Sequence, residues 1–358
     1  MATITDYLTQ LQADKQALVD NLNTMEVEVS DDETFTTLVP KVLDIETGVP
    51  IEDYFIMDPL TQIYGNAGVY AIKKIPLLDT SQLSVGDYMF SNFKSITEIP
   101  LINTTNMTTM KSMFNACESL ITIPALDTQK VTDMTSMFNG CISLSTAPLL
   151  NTSKVKTMNN MFYNCISLEE LPNFDMSSVT SAYNLCYMCS NLTKVPVLNL
   201  PNCTSFNQVF RNCKKLTEVV FGATPKITSL SNMFEMTDGL LERISEIDCQ
   251  SVTSVYSMFG ASNSRYPNLV GLGGFLNLGQ AYSTTQSANH THYNLSILNL
   301  TSLTEQSLIN VLTKVYDIKT KGCNAQNISI GATNLAKLTS TEGQAALVQA
   351  TEYGWTVS

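Results

Sequence analysis

The sequence predicts a repeat solenoid: 24-residue coils stacked on one another, each with one short strand and one short helical turn. An α/β cap follows the coils and a helical segment precedes them. Three observations predict this: a Met-Phe pair recurring every 24 residues, a change to longer units after residue 264, and a heptad pattern within the first 25 residues. The expected organisation is a helical attachment segment over 1–48, a linker and N-terminal cap over 49–72, about eight coils over 73–264, and a capping region over 265–358.

The repeat fixes the architecture. Met-Phe stands at 89–90, 113–114, 137–138, 161–162 and 233–234, with degenerate copies at 185–186 and 209–210 and a last copy, shifted by one residue, at 258–259. Cys117, Cys141, Cys165, Cys189 and Cys213 keep the same step, and so do Ile96, Leu120, Leu144, Leu168, Leu192, Leu216 and Leu240. Pro76, Pro100, Pro124, Pro148, Pro172 and Pro196 form a further column. Another runs through Leu78, Ile102, Leu126, Leu150, Phe174 and Leu198, each followed by Asp or Asn. One such coil cannot bury its apolar side alone, so like side chains must pile up along one axis. A rise of ~4.8 Å per coil, the spacing of paired strands, makes eight coils roughly 34 Å long.

Within a coil, Leu120-Ile121-Thr122-Ile123-Pro124 alternates apolar and polar, the pattern of a short strand that ends at its proline. The following Asp or Asn turns the chain by accepting from nearby backbone N–H groups. Residues 135–141 are expected to make a helical turn on the opposite side. The Met column, Met89, Met113, Met137, Met161, Met233 and Met258, is in strict register and therefore reads as core. Met137-Phe138-Asn139-Gly140-Cys141-Ile142-Ser143-Leu144 resembles the BspA-type leucine-rich repeat, over roughly residues 73–264. That resemblance implies a leucine-rich-repeat fold and roles in surface display and adhesion, as found in bacterial surface proteins and bacteriophage structural proteins.

Beyond residue 264, residues 293–298 and 327–330 alternate as strands. Ser302 and Glu305 have capping-box spacing ahead of Leu308, Ile309, Leu312 and Val315 on one helix face. A second helix is expected from about Thr341 to Glu352, with a last strand in Gly354-Trp355-Thr356-Val357. Such units would cover the open edge of the last coil. Residues 332–339 followed by Gly354-Trp355-Thr356 resemble the closing module of phage-encoded repeat proteins.

At the other end, Ile4, Leu8, Leu11, Leu18, Leu22 and Met25 form a heptad seam, with Lys15 at the one skipped position. A two-helix hairpin and an oligomerising bundle both satisfy the pattern; the bundle, as a homotrimer, is the expectation carried forward. Residues 15–35 resemble the N-terminal modules of phage tail and fibre proteins, although Glu26 stands where such modules often have Gly. That resemblance implies attachment to other virion proteins through this segment.

Charge separates the two ends of the chain. Residues 1–60 hold 13 acids against Lys15 and Lys41, whereas the remaining 298 residues carry 19 acids and 18 bases. No basic stripe suited to nucleic acid is present. No run of 18 apolar residues exists, so no helical membrane insertion is expected. The first residues lack a basic start followed by an apolar run, so no secretory signal is expected.

Candidate chemistry is sparse. Five of the nine cysteines share a column, with neighbours inside the ~4.4–6.8 Å Cα range of a disulfide, but parallel rungs point their side chains one way. Phe93 fills the same column, so buried thiols acting as small fillers are expected. Cys186 and Cys189 form a Cys-x-x-Cys without a second pair at zinc spacing. His290 and His292, the only histidines, would share one face of a strand; they are a weak candidate metal pair, and a solvated loop is the commoner outcome. No nucleophile–base constellation or phosphate loop occurs, so no enzyme, no cofactor and no catalytic residue is expected.

Aromatic residues dominate interface energetics, and Tyr163, Tyr183, Tyr256, Tyr266 and Tyr282 are on that ground the expected binding surface. The expected function is a non-enzymatic bacteriophage structural protein, in a tail fibre, baseplate or head fibre, that binds a host cell-surface protein or glycan. A bacterial cell-surface adhesin with the same repeats is the alternative.

Overall fold

The computed structural model describes residues 75, 80–237, 239–260, 266–282 and 294–358. The heptad residues Ile4 to Met25 and the pair His290 and His292 lie outside the described residues. From residue 84 the chain winds as a solenoid whose counterparts superpose at each step. Val85, Thr109, Asp133, Thr157, Ser181, Ser205, Ser229 and Ser254 form one unbroken ladder of parallel bridges. Residues 113, 137 and 161 are stacked and fully buried.

The core is built from columns. Phe90, Phe114, Phe138 and Phe162 stack nearly parallel, with ring centroids 5.5, 5.5 and 5.4 Å apart. Where Cys186 replaces phenylalanine in this column, Phe174 stacks on Phe162 at 6.1 Å and closes the run. The stack resumes through Phe210, Phe234 and Phe259. The Met column and the apolar column from Ile96 to Leu216 are buried beside it, whereas Leu240 is exposed and Leu241 is buried, where the 24-residue step gains its extra residue.

Each coil has two sides with different backbone chemistry. On one side the strands are very short. Isolated bridges join Glu98 to Thr122, and Thr146 through Glu170 to Lys194. Named strands appear only in the last coils: β1 (Glu218–Val219), β2 (Arg243–Ile244) and β4 (Gly271–Leu272) in one parallel sheet, β3 (Ile247–Asp248) and β5 (Phe275–Leu276) in another. The Asp or Asn after each strand turns the chain as expected. The side chains of Asn103, Asp127, Asn151 and Asp175 accept from the N–H groups of Thr105, Gln129, Ser153 and Ser177 at 3.1, 3.0, 3.2 and 2.9 Å.

The opposite side corrects the sequence reading, because the expected helical turn is not a helix. Two residues per coil have positive φ, four apart: Ser112 and Ala116, Ser136 and Gly140, Asn160 and Asn164, and so along the stack. This reverses the local winding, so alternate N–H groups point along the solenoid axis. Met110, Ser112, Phe114 and Ala116 donate to the carbonyls of Asp133, Thr135, Met137 and Asn139 in the next coil, at 3.0, 2.8, 2.9 and 2.6 Å. The N–H groups between them, of Met113, Asn115 and Cys117, close tight turns within the coil. A continuous helix would bond only to itself and leave adjacent coils unlinked on this side.

The C-terminal region contains β6 (Leu295–Ser296), α1 (Glu305–Thr313), β7 (Gln326–Ser329), α2 (Gly331–Leu335), α3 (Thr341–Glu352) and β8 (Trp355–Val357). Strands β6, β7 and β8 form a parallel sheet in that order. Helix α3 and strand β8 fall where the sequence places them, but α1 begins later than the Ser302–Glu305 spacing suggests. Its cap is Thr304, whose hydroxyl accepts from Ser307 N at 3.2 Å, while Ser302 reaches back to the Pro267 carbonyl at 2.7 Å. Glu305 is taken by another helix: its carboxylate accepts from Ser340 N, beside the cap of α3, at 2.8 Å. That bond holds the Glu305 carboxyl below its usual range.

The expected covering of the last coil's edge is visible in detail. Ser307 accepts from Leu272 N at 3.1 Å and donates to the Val270 carbonyl at 2.9 Å, which caps the β4 edge from α1. Lys314 Nζ donates to the Gly273 carbonyl at 2.7 Å. A buried strand edge is thereby satisfied by side chains rather than by another strand.

Candidate functional site

The interior columns leave little for chemistry. Cys117, Cys141, Cys165 and Cys189 each donate Sγ–H to the carbonyl of Phe90, Phe114, Phe138 and Phe162, at 3.0, 3.1, 3.1 and 3.0 Å. Cys213 does the same to Cys186 O at 3.0 Å, and Thr237 continues the column by donating to Phe210 O. All nine cysteines are free thiols, eight of them buried and Cys323 half-buried. Burial pushes the thiols of Cys117, Cys141, Cys165, Cys186, Cys213 and Cys249 well up, and that of Cys203 to about 12. Such groups stay protonated and unreactive. Among the described residues no three His, Cys, Asp or Glu side chains are grouped to hold a metal ion.

The exposed turn side is different. One column runs through Ser91, Asn115, Asn139, Tyr163, Tyr187, Arg211 and Glu235, small polar groups giving way to four large ones. Tyr163 and Tyr187 stack face to face, 4.8 Å between centroids and 6° apart in plane. The Arg211 guanidinium lies 5.3 Å over the free face of Tyr187. Its Nε is 2.9 Å from Glu235 Oε2, and its terminal nitrogens donate to Glu235 Oε1 at 3.2 Å and Gln208 Oε1 at 3.1 Å. A cation over a half-buried tyrosine contributes on the order of 1 kcal/mol and a partly exposed ion pair ~0–1 kcal/mol. Together they fix side chains that would otherwise sample many rotamers.

Tyr183 stands in the neighbouring column. Its N–H donates to Asn159 Oδ1 at 3.0 Å, and its hydroxyl accepts from Asn160 Nδ2 at 3.4 Å. The structure therefore places Tyr163 in a stack with Tyr187 and Arg211, and Tyr183 in the adjoining column against Asn159 and Asn160. Tyr187 and Arg211 were not among the expected surface residues, although the 24-residue step from Tyr163 passes through both. Tyr256 is exposed but lies three coils from Tyr183, about 14 Å away at strand spacing.

Tyr266 and Tyr282 are corrected: both are 1% exposed and belong to the interior. The Tyr266 hydroxyl donates to the carbonyls of Phe259 and Phe234, capping the end of the carbonyl row that the thiols serve. Tyr282 packs on Trp355, with ring centroids 5.9 Å apart, where solenoid and cap meet. Their tyrosine type reflects a buried ring and a hydroxyl with an internal acceptor, not a surface role.

Comparison with known proteins places this geometry. The chain belongs to the family described as "Mycoplasma protein of unknown function, DUF285", whose profile matches residues 84–200 and 204–270, just over half of the chain. Its fold is a solenoid of 24-residue repeats. Two solved structures are similar: a leucine-rich cell surface protein from Faecalibacterium prausnitzii A2-165, and the functional domain of InlJ from Listeria monocytogenes, described as including a cysteine ladder. The first is 15% identical, with 73% of this chain and 74% of that chain covered and a TM-score of 0.36. The second is 14% identical, covering 78% and 66%, with a TM-score of 0.23. No curated protein matches the chain. Neither the family nor these two structures is described as a bacteriophage protein.

Proposed function

We propose that this chain is a non-enzymatic display protein of the bacterial cell surface, whose solenoid holds a rigid tyrosine–arginine cluster toward a binding partner. The observation that carries the reading is the ordered stack Tyr163–Tyr187–Arg211–Glu235, in a column whose earlier members are the buried Ser91 and the half-buried Asn115 and Asn139. Tyrosine and arginine held in place ahead of binding lose little entropy on contact, the property of interface hot spots. The stacked coils supply position and no reactivity, since their thiols and backbone groups are consumed internally. A family described from a bacterium favours a bacterial protein over the virion setting that the terminal segments suggest, and the surface location follows from the BspA-type resemblance of the repeats.

The test is site-specific photocrosslinking on living cells that carry the protein. A benzophenone side chain at Tyr163 or Tyr183 should give a discrete adduct when cells meet their natural surroundings, and one at Asn115 should not. Labelling by an antibody against residues 84–260 should occur before permeabilisation. Labelling only after permeabilisation overturns the cell-surface setting, and equal adducts at all three positions overturn the cluster.

A further inference from the structure

The junction between the last coils and the cap holds a second candidate site, independent of the tyrosine face. A cavity of about 370 Å³ opens there, floored by β1, β2 and β4 and walled by the first turns of α1. Its volume falls at the lower end of the ~300–1,000 Å³ range of small-molecule sites. The space exists because a side-chain column ends. Glu98, Thr122, Thr146, Glu170, Lys194, Glu218 and Arg243 follow one another on this face, and the next residue is Gly271. A Cβ at Gly271 would stand 3.1 Å from Arg243 Cγ, so any larger residue would push the arginine stem into the cavity.

Four planar polar side chains from three elements line this space: Glu218, Arg243, Gln306 and Asn310. The bonds they make with the protein are all long. Arg243 Nε is 3.6 Å from Glu218 Oε1, Gln306 Nε2 is 3.4 Å from Asn310 Oδ1, and Asn310 Nδ2 is 3.4 Å from the Leu272 carbonyl. Elsewhere at this junction the polar contacts are short, as with Lys314 on Gly273 at 2.7 Å and Ser307 on Val270 at 2.9 Å. Arg243 and Glu218 also remain 70% and 52% exposed. The hydrogen-bonding capacity around the cavity is thus largely unspent.

The chemistry selects a ligand class. One guanidinium faces one carboxylate, so the cavity has no net charge to attract a phosphate, a sulfate or a metal cation. Among the described residues no aromatic ring lines it, so a nucleobase finds nothing there to stack on. What remains is a neutral ligand needing several donors and acceptors at close spacing. Guanidinium, carboxylate and amide groups each span a pair of neighbouring hydroxyls, and half-buried Val220 gives a small apolar patch for a C–H face. We infer that this cavity binds a neutral monosaccharide unit of a glycan.

The experiment uses the full chain and a panel of glucose, galactose, mannose, N-acetylglucosamine and N-acetylgalactosamine, read by saturation-transfer-difference NMR at millimolar sugar. Glycine and alanine serve as zwitterionic controls. At least one sugar should bind, and Arg243→Ala and Gln306→Ala, both at exposed side chains, should weaken it tenfold or more with unchanged thermal unfolding. Gly271→Gln should abolish binding by filling the space. Should Gly271→Gln not fold, the two alanine variants decide alone. No binding across the panel, binding indifferent to both alanine variants, or Arg243-dependent binding of the amino acids instead of sugars each overturns the inference. None of these outcomes bears on crosslinking at Tyr163.

Discussion

The stacked coils and the C-terminal cap keep their backbones paired by opposite means. In the coils a residue bonds to the one just before its counterpart in the next turn, as Phe114 N does to Met137 O and Phe138 N to Met161 O. In the cap a side chain from one element reaches the backbone of another. Lys337 Nζ donates to the carbonyls of Thr301 and Leu303 at 2.6 and 2.7 Å, and Trp355 Nε1 donates to Tyr316 O at 2.9 Å. Repetition therefore makes the effect of a substitution a property of its column, whereas each cap contact is unique. The solenoid behaves as a sum of coils and interfaces, and the cap as a small globular unit.

The largest expected effect follows from the phenylalanine column. Phe138→Ala removes a fully buried ring stacked on both sides, and should cost about 3–5 kcal/mol in urea unfolding. Phe114→Ala should cost the same to within about 1 kcal/mol, because its neighbours are the same. A Phe138→Ala cost below about 1 kcal/mol would break the equivalence of column members on which the comparison rests.

The periodicity of these columns is what made the solenoid legible. Met113, Cys117 and Leu120 name their own counterparts by simple addition, and the asparagine or aspartate after each strand announces its turn. The conformation of the turn side was not legible in that way, because a buried Met-Phe pair satisfies a helix and a chain of tight turns equally. The signal lay in Asn160, Asn164, Asn184, Asn212 and Gly140, residue types that tolerate positive φ, at two fixed positions per coil. The proposed tyrosine face was half legible. Residue type found Tyr163 and Tyr183, but it could not separate them from Tyr266, whose hydroxyl serves an internal carbonyl. The cavity at the cap was invisible, since Gly271 and Gln306 are brought together only by the docking of α1.

A middle-sized effect tests the cap. Ser307 is buried and serves both Leu272 N and Val270 O on the edge of β4, a contact not repeated among the described residues. Ser307→Ala should cost about 1–3 kcal/mol and raise hydrogen exchange at Leu272 while leaving Phe114 and Phe138 protected. Uniform loss of protection along the coils would show that cap and solenoid unfold as one unit, which would sharpen the comparison in the opposite sense.

The smallest effect is expected at Cys165, and it changes sign with pH. In sequence terms a serine there would bury a hydroxyl without a sure partner, but the structure supplies one. The Phe138 carbonyl already accepts from the thiol, and Thr237 makes the equivalent bond to Phe210 O. Cys165→Ser should therefore cost less than about 1 kcal/mol at pH 7. The folded thiol titrates well above its ordinary 9.0 because it is buried, so the unfolded chain loses this proton first as pH rises. The wild type then loses up to ~1.4 kcal/mol of stability per pH unit through this one group above pH 9, and the serine variant does not. Urea midpoints of the two proteins should converge and cross between about pH 9 and 10.5. Parallel midpoints over that range would mean that the thiol is ionised in the folded coil, and the carbonyl row would then have to be held by something other than the Cys column.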